Sequence, residues 1–214
     1  MNEGRSERFS LRSKTLVLVE GREDRFVLEQ FADQLHLGPD RIQTHPLLSK
    51  DKLFSFLHAE AKRPEFLELE TLAILFDAET SRETTLAEIN DALQRLDLPA
   101  SLRVVIETIP TGAQTGCLED LMLEALTAET AAFPCLDEIR NCIETNLPRS
   151  RTFSECRWKK LQLHVVLGCS ERGYKAGLLT ALQSREYQPI LASRVFDPLR
   201  QFISQLAEQP APRA

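Results

Sequence analysis

The fold is decided by two similar stretches, TLVLVEG at residues 15–21 and LAILFDAE at residues 72–79. Each begins as a continuous, uncharged and β-rich run, which is typical of a strand buried on both faces of a sheet. Each run ends in acids, Glu20 in the first and Asp77 and Glu79 in the second. In open α/β sheets the ligand crevice lies outside the carboxyl ends of the strands, so the pattern predicts that these three acids meet there.

The spacing of the acids predicts a site for a hard metal ion. Asp77 and Glu79 are two residues apart, which on an extended segment points both side chains to the same side. Clustered carboxylates repel one another unless a cation neutralises them, and oxygen ligands favour Mg²⁺, with Mn²⁺ as a substitute. We therefore expect Asp77 and Glu79 to bind such an ion.

Alternating strand and helix patterns predict an α/β fold with a parallel-rich central sheet flanked by helices. After the first strand, the patterns predict a helix at 23–37, a strand at 41–48, a helix at 50–63, the second buried strand, a helix at 85–96 and a strand at 102–109. From residue 118 onward the strong patterns are helical, at 118–127, 135–145, 156–167, 176–183 and 197–206.

These patterns also predict the organisation of the chain. We expect a flexible N-terminus over residues 1–13, an α/β domain over 14–127, a helical C-terminal extension packed on it over 128–207, and a flexible tail over 208–214.

Composition limits the function. With a net charge of −6, the chain does not suit a protein that coats nucleic acid by bulk charge, so such contacts would need a local basic patch and metal ions. The charged N-terminus does not resemble a signal peptide or membrane span, which predicts a cytoplasmic protein without membrane contact. The five cysteines never form Cys-x-x-Cys, so the pattern indicates neither a disulfide framework nor a zinc site.

Three segments resemble the Toprim family. Residues 18–28 (LVEGREDRFVL) resemble its first motif, a strand that ends in Glu-Gly with an Asp at the head of the next helix. Residues 75–79 (LFDAE) resemble its second motif, usually Asp-x-Asp, with Glu79 as a longer oxygen ligand. Residues 116–121 (GCLEDL) are similar to a Gly-x-Leu-Glu-Asp segment of small stand-alone Toprim proteins related to the nuclease domain of OLD-type ATPase-nucleases.

The resemblance implies a Toprim-like fold and a Mg²⁺-dependent nuclease or nicking enzyme that acts on DNA. It implies Glu20 as the general acid/base. The implied metal ligands are Asp77 and Glu79, with Asp24, Glu119 and Asp120 as auxiliary or second-metal ligands. The last three acids also suit the first turns of helices, where carboxylates gain from the helix dipole without any catalytic role. A separately encoded ATPase partner, in phage defence or repair, is a further expectation.

A basic run between residues 149 and 160 offers a nucleic-acid surface. Its members are Arg149, Arg151, Arg157, Lys159 and Lys160, which surround Trp158 and the single acid Glu155. Such a run is commonly a solvated helix face. The alternative is that the arginines and Lys159 track a phosphate backbone while Trp158 stacks a base. Lys160 is predicted to be catalytic, stabilising charge on a phosphorane-like transition state.

Two rival functions remain open from the sequence. The segment FDAET at residues 76–80 also resembles the Asp-x-Asp-x-Thr motif of haloacid-dehalogenase phosphatases, which would make Asp77 a nucleophile. A catalytically quiet Toprim-like interaction module of an ATPase complex is the other alternative.

Overall fold

A four-stranded, all-parallel sheet forms the centre of the computed structural model, which describes residues 9–129, 135–147, 153–168, 183 and 188–208. The strand order is β2-β1-β3-β4. The strands are β1 (Thr15–Val19), β2 (Gln43–Pro46), β3 (Thr71–Asp77) and β4 (Arg103–Ile109). Helices follow the strands in sequence and cover both faces, so the predicted α/β fold with a parallel sheet flanked by helices is confirmed.

The helices are bounded as follows: α1 (Arg22–Gln34), α2 (Leu53–Glu60), α3 (Pro64–Leu67), α4 (Arg82–Gln94), α5 (Leu118–Glu129), α6 (Cys135–Asn146), α7 (Glu155–Gly168), α8 (Gln188–Leu191) and α9 (Asp197–Glu208). Short 3₁₀ turns lie at Lys50–Lys52 and Arg194–Phe196. No helix in the described part of the chain has the length and apolar character needed to span a membrane.

Two hydrophobic cores lie on opposite faces of the sheet, because successive side chains of a strand point to opposite faces. Along β1, Val17 and Val19 pack into the core formed with α1, α5, α7 and α9, whereas Leu16 and Leu18 pack into the core formed with α2, α3 and α4. All five residues of β1 and all seven of β3 are buried, as the two central positions in the sheet require.

The C-terminal helices share the first of these cores. Phe196 is completely buried, and its ring centroid lies 5.5 Å from that of Phe31 on α1. Leu163 and Val166 of α7 and Ile203 of α9 are buried in the same core. The segment after α5 therefore completes the layer that covers one face of the sheet, and it can carry functional side chains to the sheet edge. The division into two domains stays a prediction.

Local chemistry explains where the elements differ from expectation. The predicted helix at 50–63 consists of a 3₁₀ turn and α2, which ends at Glu60, and a separate short helix, α3, begins at Pro64 after the extended Arg63. Helix α4 starts at Arg82, three residues earlier than expected, since the Ser81 hydroxyl accepts a hydrogen bond from the Thr84 amide. The predicted strand at 41–48 is shortened to β2. The predicted helix at 176–183 lies outside the described residues, apart from residue 183.

Candidate active site

The acids of the first two motifs lie at the same edge of the sheet. Glu20 follows β1, Asp77 ends β3, and the parallel register pairs Val19 with Leu75, so both acids leave the sheet at its carboxyl end. Their charges interact. The pKa of Glu20 is raised from its ordinary value by burial and then by the negative charge of Glu79, against the opposing effect of Lys160.

Asp24 reaches the same edge from the first turn of α1. Its Oδ2 accepts a hydrogen bond of 2.7 Å from the amide of Gly21, which fixes the turn between β1 and the helix. Burial nevertheless raises the pKa of Asp24 to about 7, and the nearby charges of Glu119 and Glu20 add to this effect. Asp24 is therefore both a helix-capping residue and a member of the acidic site.

Asp77 is buried between β3 and the start of α5. Its Oδ1 accepts a hydrogen bond of 3.1 Å from the amide of Leu118, the first residue of that helix. Helix N-termini favour negative charge. Burial still raises the pKa of Asp77 well above its ordinary value, and the charges of Asp24 and Glu119 raise it further.

The loop before α5 is held against the exit of β3. The backbones of Glu79 and Gly116 exchange two hydrogen bonds, of 2.7 and 2.8 Å. Gly116 has a φ of +124°, and a Cβ at this position would lie 2.8 Å from Cδ of Pro110. A glycine is therefore required where this loop turns into the helix.

The first turn of α5 supplies the next two acids. The Cys117 amide donates a hydrogen bond of 2.9 Å to Oδ2 of Asp120, which caps this helix just as Asp24 caps α1. Glu119 is buried, with 4% of its surface exposed. Within the described part of the chain, Oε2 of Glu119 and Oε2 of Glu20 are buried and have no hydrogen-bond partner.

Helix α7 carries the cations that face these acids. Nζ of Lys160 lies 3.6 Å from Oε1 of Glu119, and Nζ of Lys159 lies 3.6 Å from Oδ1 of Asp120. Burial alone would lower the pKa of Lys160, but the charges of Glu119, Asp77 and neighbouring acids raise it above its ordinary value. Lys160 therefore stays protonated beside the acidic site.

Glu79 is oriented differently from the prediction. The expectation of an extended segment after Asp77 is wrong, because Glu79 has a φ of +50°. Its Oε2 forms an ion pair of 2.9 Å with Nζ of Lys50, which also lies 3.2 Å from Oε2 of Glu88. Glu79 is still close enough to raise the pKa of Glu20. Its carboxylate therefore lies at the margin of the site, already neutralised by a lysine.

The structure describes the basic run at residues 149–160 only in part and contradicts one of its predicted roles. Arg149 and Arg151 lie outside the described residues. Trp158 is 2% exposed and packs against Phe153 and Arg140, so the prediction that it stacks a base is wrong, because its ring is buried. Arg157 is exposed, with its guanidinium 3.9 Å from the centroid of the Phe153 ring.

Lys50 and a pair of cysteines also lie at this edge, although the sequence did not predict them there. Lys50 follows β2, so the rule that sites form at the carboxyl ends of parallel strands would have pointed to it. Cys117 and Cys156 are far apart in sequence and approach each other only because α7 packs against α5. No spacing in the sequence predicts the contact between these two cysteines.

The acidic residues suit a hard cation. They offer oxygen donors, two of them buried without partners, and the pKa values of Glu20, Asp24 and Asp77 are raised in a way that a bound cation would reverse. Among the described residues, no three of these carboxylates bring one oxygen each within 4.8 Å of one another.

A family model described as "Protein of unknown function (DUF3226)" matches residues 14–207. The chain belongs to this family. No curated protein matches this DUF3226 member. The matched range contains Lys160 and the four carboxylates at the centre of the site, which are Glu20, Asp24, Asp77 and Glu119.

Two solved structures are similar to this DUF3226 chain. The C-terminal region of the Burkholderia pseudomallei OLD protein is 15% identical, covers 93% of this chain and all of its own, and has a TM-score of 0.40. The C-terminal region of the Xanthomonas campestris pv. campestris OLD protein is 17% identical, covers 92% of this chain and 93% of its own, and has a TM-score of 0.34. Similarities this low carry no functional argument, which rests on the site itself.

Proposed function

We propose that this protein is a Mg²⁺-dependent phosphodiesterase of the Toprim type that cuts or nicks DNA. The observation that carries the proposal is the pair of buried carboxylate oxygens without partners, one on Glu20 and one on Glu119, at the carboxyl edge of a parallel sheet. A buried polar atom without a hydrogen bond costs free energy, and a buried charge costs more. A divalent cation at this edge would remove that cost.

Asp77, Asp24 and Glu119 are the residues that would hold Mg²⁺ or Mn²⁺. They are buried at the same edge and their charges act on one another. Glu79, which is paired with Lys50, would act as an outer ligand, and Asp120, which is paired with Lys159, would border the site. A bound ion would polarise the phosphate and lower the pKa of a bound water.

Glu20 is the proposed general acid/base. Burial and the charge of Glu79 raise its pKa, which brings it closer to the neutral range where a carboxyl can both accept and release a proton. One of its oxygens is buried without a partner among the described residues, and a bound water or a leaving oxygen would supply that partner.

Lys160 is proposed to stabilise negative charge on the phosphoryl oxygens in the transition state. Its ammonium lies beside Glu119 while its side chain remains about half exposed, at 52%. A protonated lysine that is paired with a buried carboxylate and still accessible suits a preorganised electrostatic role.

DNA is the proposed substrate, and the basic residues of α7 are its proposed contacts. The chain is acidic overall, so binding depends on the local cations Arg157 and Lys159, on Arg149 and Arg151 before the helix, and on metal ions. A cytoplasmic location and a separately encoded ATPase partner in defence or repair remain part of the proposal.

No specific observation favours the phosphatase alternative. In that chemistry the acid two residues after the nucleophile Asp77 has to be available for proton transfer. Here that residue is Glu79, and its carboxylate is paired with Lys50.

A cleavage assay with matched variants tests the proposal. Purified protein is incubated with supercoiled plasmid, linear DNA, RNA and a chromogenic phosphomonoester, with Mg²⁺, Mn²⁺ or a chelator. We expect metal-dependent nicking or cutting of DNA that is lost in Asp77→Asn and kept in Asp91→Asn, a change at an exposed position on α4. Turnover of the phosphomonoester alone would establish the phosphatase, and inactivity on every substrate would favour the quiet module.

A further inference from the structure

A second cluster of potential metal ligands lies beside the acidic edge and differs from it in chemistry. Sγ of Cys117, Sγ of Cys156 and a carboxylate oxygen of Asp120 all lie within 4.8 Å of one another. Cys117 is completely buried and Cys156 is 8% exposed. Two thiols and one carboxylate, from the start of α5 and from α7, therefore lie close together.

The separations are within the range that tetrahedral coordination can close. Zinc binds sulfur at about 2.3 Å and carboxylate oxygen at about 2.0 to 2.2 Å, which places tetrahedral ligand atoms about 3.5 to 3.8 Å apart. Sγ of Cys117 already lies 3.4 Å from Oδ2 of Asp120. The other two separations are at most 4.8 Å, so the ligand atoms would move by no more than about 1 Å to take up an ion.

The Asp120 carboxylate is also held in place by neighbouring groups, as outer-shell partners orient the ligands of metal sites. The Cys117 amide donates to Oδ2 of Asp120, and Nζ of Lys159 lies 3.6 Å from Oδ1. Lys159 also offsets part of the negative charge that two thiolates and a carboxylate would accumulate.

We propose that Cys117, Cys156 and Asp120 form a binding site for a thiophilic divalent metal ion of the Zn²⁺ class. Sulfur ligands select this class of ion, whereas the all-oxygen acidic edge selects Mg²⁺ or Mn²⁺, so the protein has two metal sites of different selectivity. Binding releases the thiol protons, and three protein ligands leave a fourth position for water. This inference does not depend on the nuclease activity proposed above.

The position of the site gives it a structural role. Cys117 precedes the first turn of α5, and Cys156 lies in the first turn of α7. Cys156 and Lys160 are four residues apart and therefore lie on the same face of α7. A metal ion that joins α5 to α7 would fix Lys160 against Glu119.

Cobalt substitution tests the proposal directly. Chelator-treated, reduced protein is titrated with Co²⁺ and then with Zn²⁺, and near-ultraviolet thiolate-to-cobalt charge transfer and the bound stoichiometry are measured. We expect the thiolate absorption to saturate at one Co²⁺ per chain and to be lost when Zn²⁺ displaces that ion, whereas cobalt at the acidic edge contributes no thiolate absorption. Loss of an outer-shell partner weakens metal binding by roughly 10- to 100-fold. Cys156→Ser removes a direct ligand, so it should weaken Zn²⁺ binding by more than this. Cys142→Ser, a change at an exposed cysteine on α6, should leave binding unchanged.

Three further measurements make the proposal falsifiable. Cys117→Ser should weaken Zn²⁺ binding as Cys156→Ser does. If Cys117→Ser fails to fold, Cys156→Ser and native mass spectrometry of the wild type still show whether the site binds metal. Asp77→Asn should keep the cobalt absorption, which separates this site from the acidic edge. Absence of thiolate absorption in the wild type would overturn the proposal, as would equal zinc affinity in Cys156→Ser. A Cys117–Cys156 disulfide that forms in the presence of Zn²⁺, with no bound metal, would also overturn it.

Discussion

Nζ of Lys160 on α7 lies 3.6 Å from Oε1 of Glu119 on α5, which joins the C-terminal part of the chain to the acidic edge of the sheet. The contact brings a cation to a group of buried carboxylates that otherwise repel one another. It also gives the segment after α5 a place in the proposed chemistry, since this segment supplies a side chain that the strands do not.

Glu20→Gln should lower metal-dependent DNA cleavage by about 100-fold or more, because the amide cannot accept and release the proton. Metal binding, measured by calorimetry, should persist, since Asp77, Asp24 and Glu119 remain. Glu83→Gln, at an exposed position on α4, serves as the control and should cleave like the wild type. Unchanged cleavage in Glu20→Gln would remove Glu20 from the mechanism.

Lys160→Gln should separate catalysis from metal binding. Loss of the ammonium should reduce cleavage by about 100- to 1,000-fold, the usual effect of removing one preorganised group from a transition state. Metal affinity should stay the same or increase, since a cation that competes for Glu119 is gone. Lys52→Gln, at an exposed position, is the matched control. A parallel fall in metal affinity and cleavage would contradict the assignment.

The metal-free protein should lose stability as the pH rises from about 4 to about 7. Asp24 has a pKa of about 7 in the folded protein, above its ordinary value of 3.8, so the folded state holds the proton more tightly. Its contribution is complete below the unfolded pKa and disappears as the pH rises through the folded one. Urea unfolding at a series of pH values measures this, and Asp24→Asn should flatten the dependence. Mg²⁺ should restore stability at neutral pH in the wild type.

Gly116→Ala should destabilise the protein by about 3 kcal/mol, at the upper end of the cost of a strained residue. Its φ of +124° is unfavourable for alanine, and the new Cβ would meet Pro110 at 2.8 Å. Gly112→Ala is a matched control, because its φ is +74° but nothing lies within 4 Å of a Cβ, so we expect about 1 kcal/mol. Chemical unfolding measures the loss of unfolding free energy in each variant. Equal losses in Gly116→Ala and Gly112→Ala would show that the contact with Pro110 does not destabilise the protein.

The sequence alone determined the sheet and its acidic edge. The uncharged runs at residues 15–19 and 72–76 had to be buried on both faces, and parallel pairing then places the residues that follow them at one end of the sheet. The sequence therefore predicts that Glu20 and Asp77 lie at the same edge of the sheet. Local periodicity also gave the start of α5, and with it the two acids of its first turn.

The tertiary structure alone decided which other side chains join them. Glu79 turns toward Lys50 because of a left-handed backbone, and Trp158 is buried against Phe153 and Arg140. The packing of α7 on α5 brings Lys160 to Glu119 and Cys156 to Cys117. A sequence pattern records which face of a helix is apolar, whereas the position of that helix on the sheet depends on long-range packing. Contacts between α5 and α7 therefore follow from the fold and from no local signal in the chain.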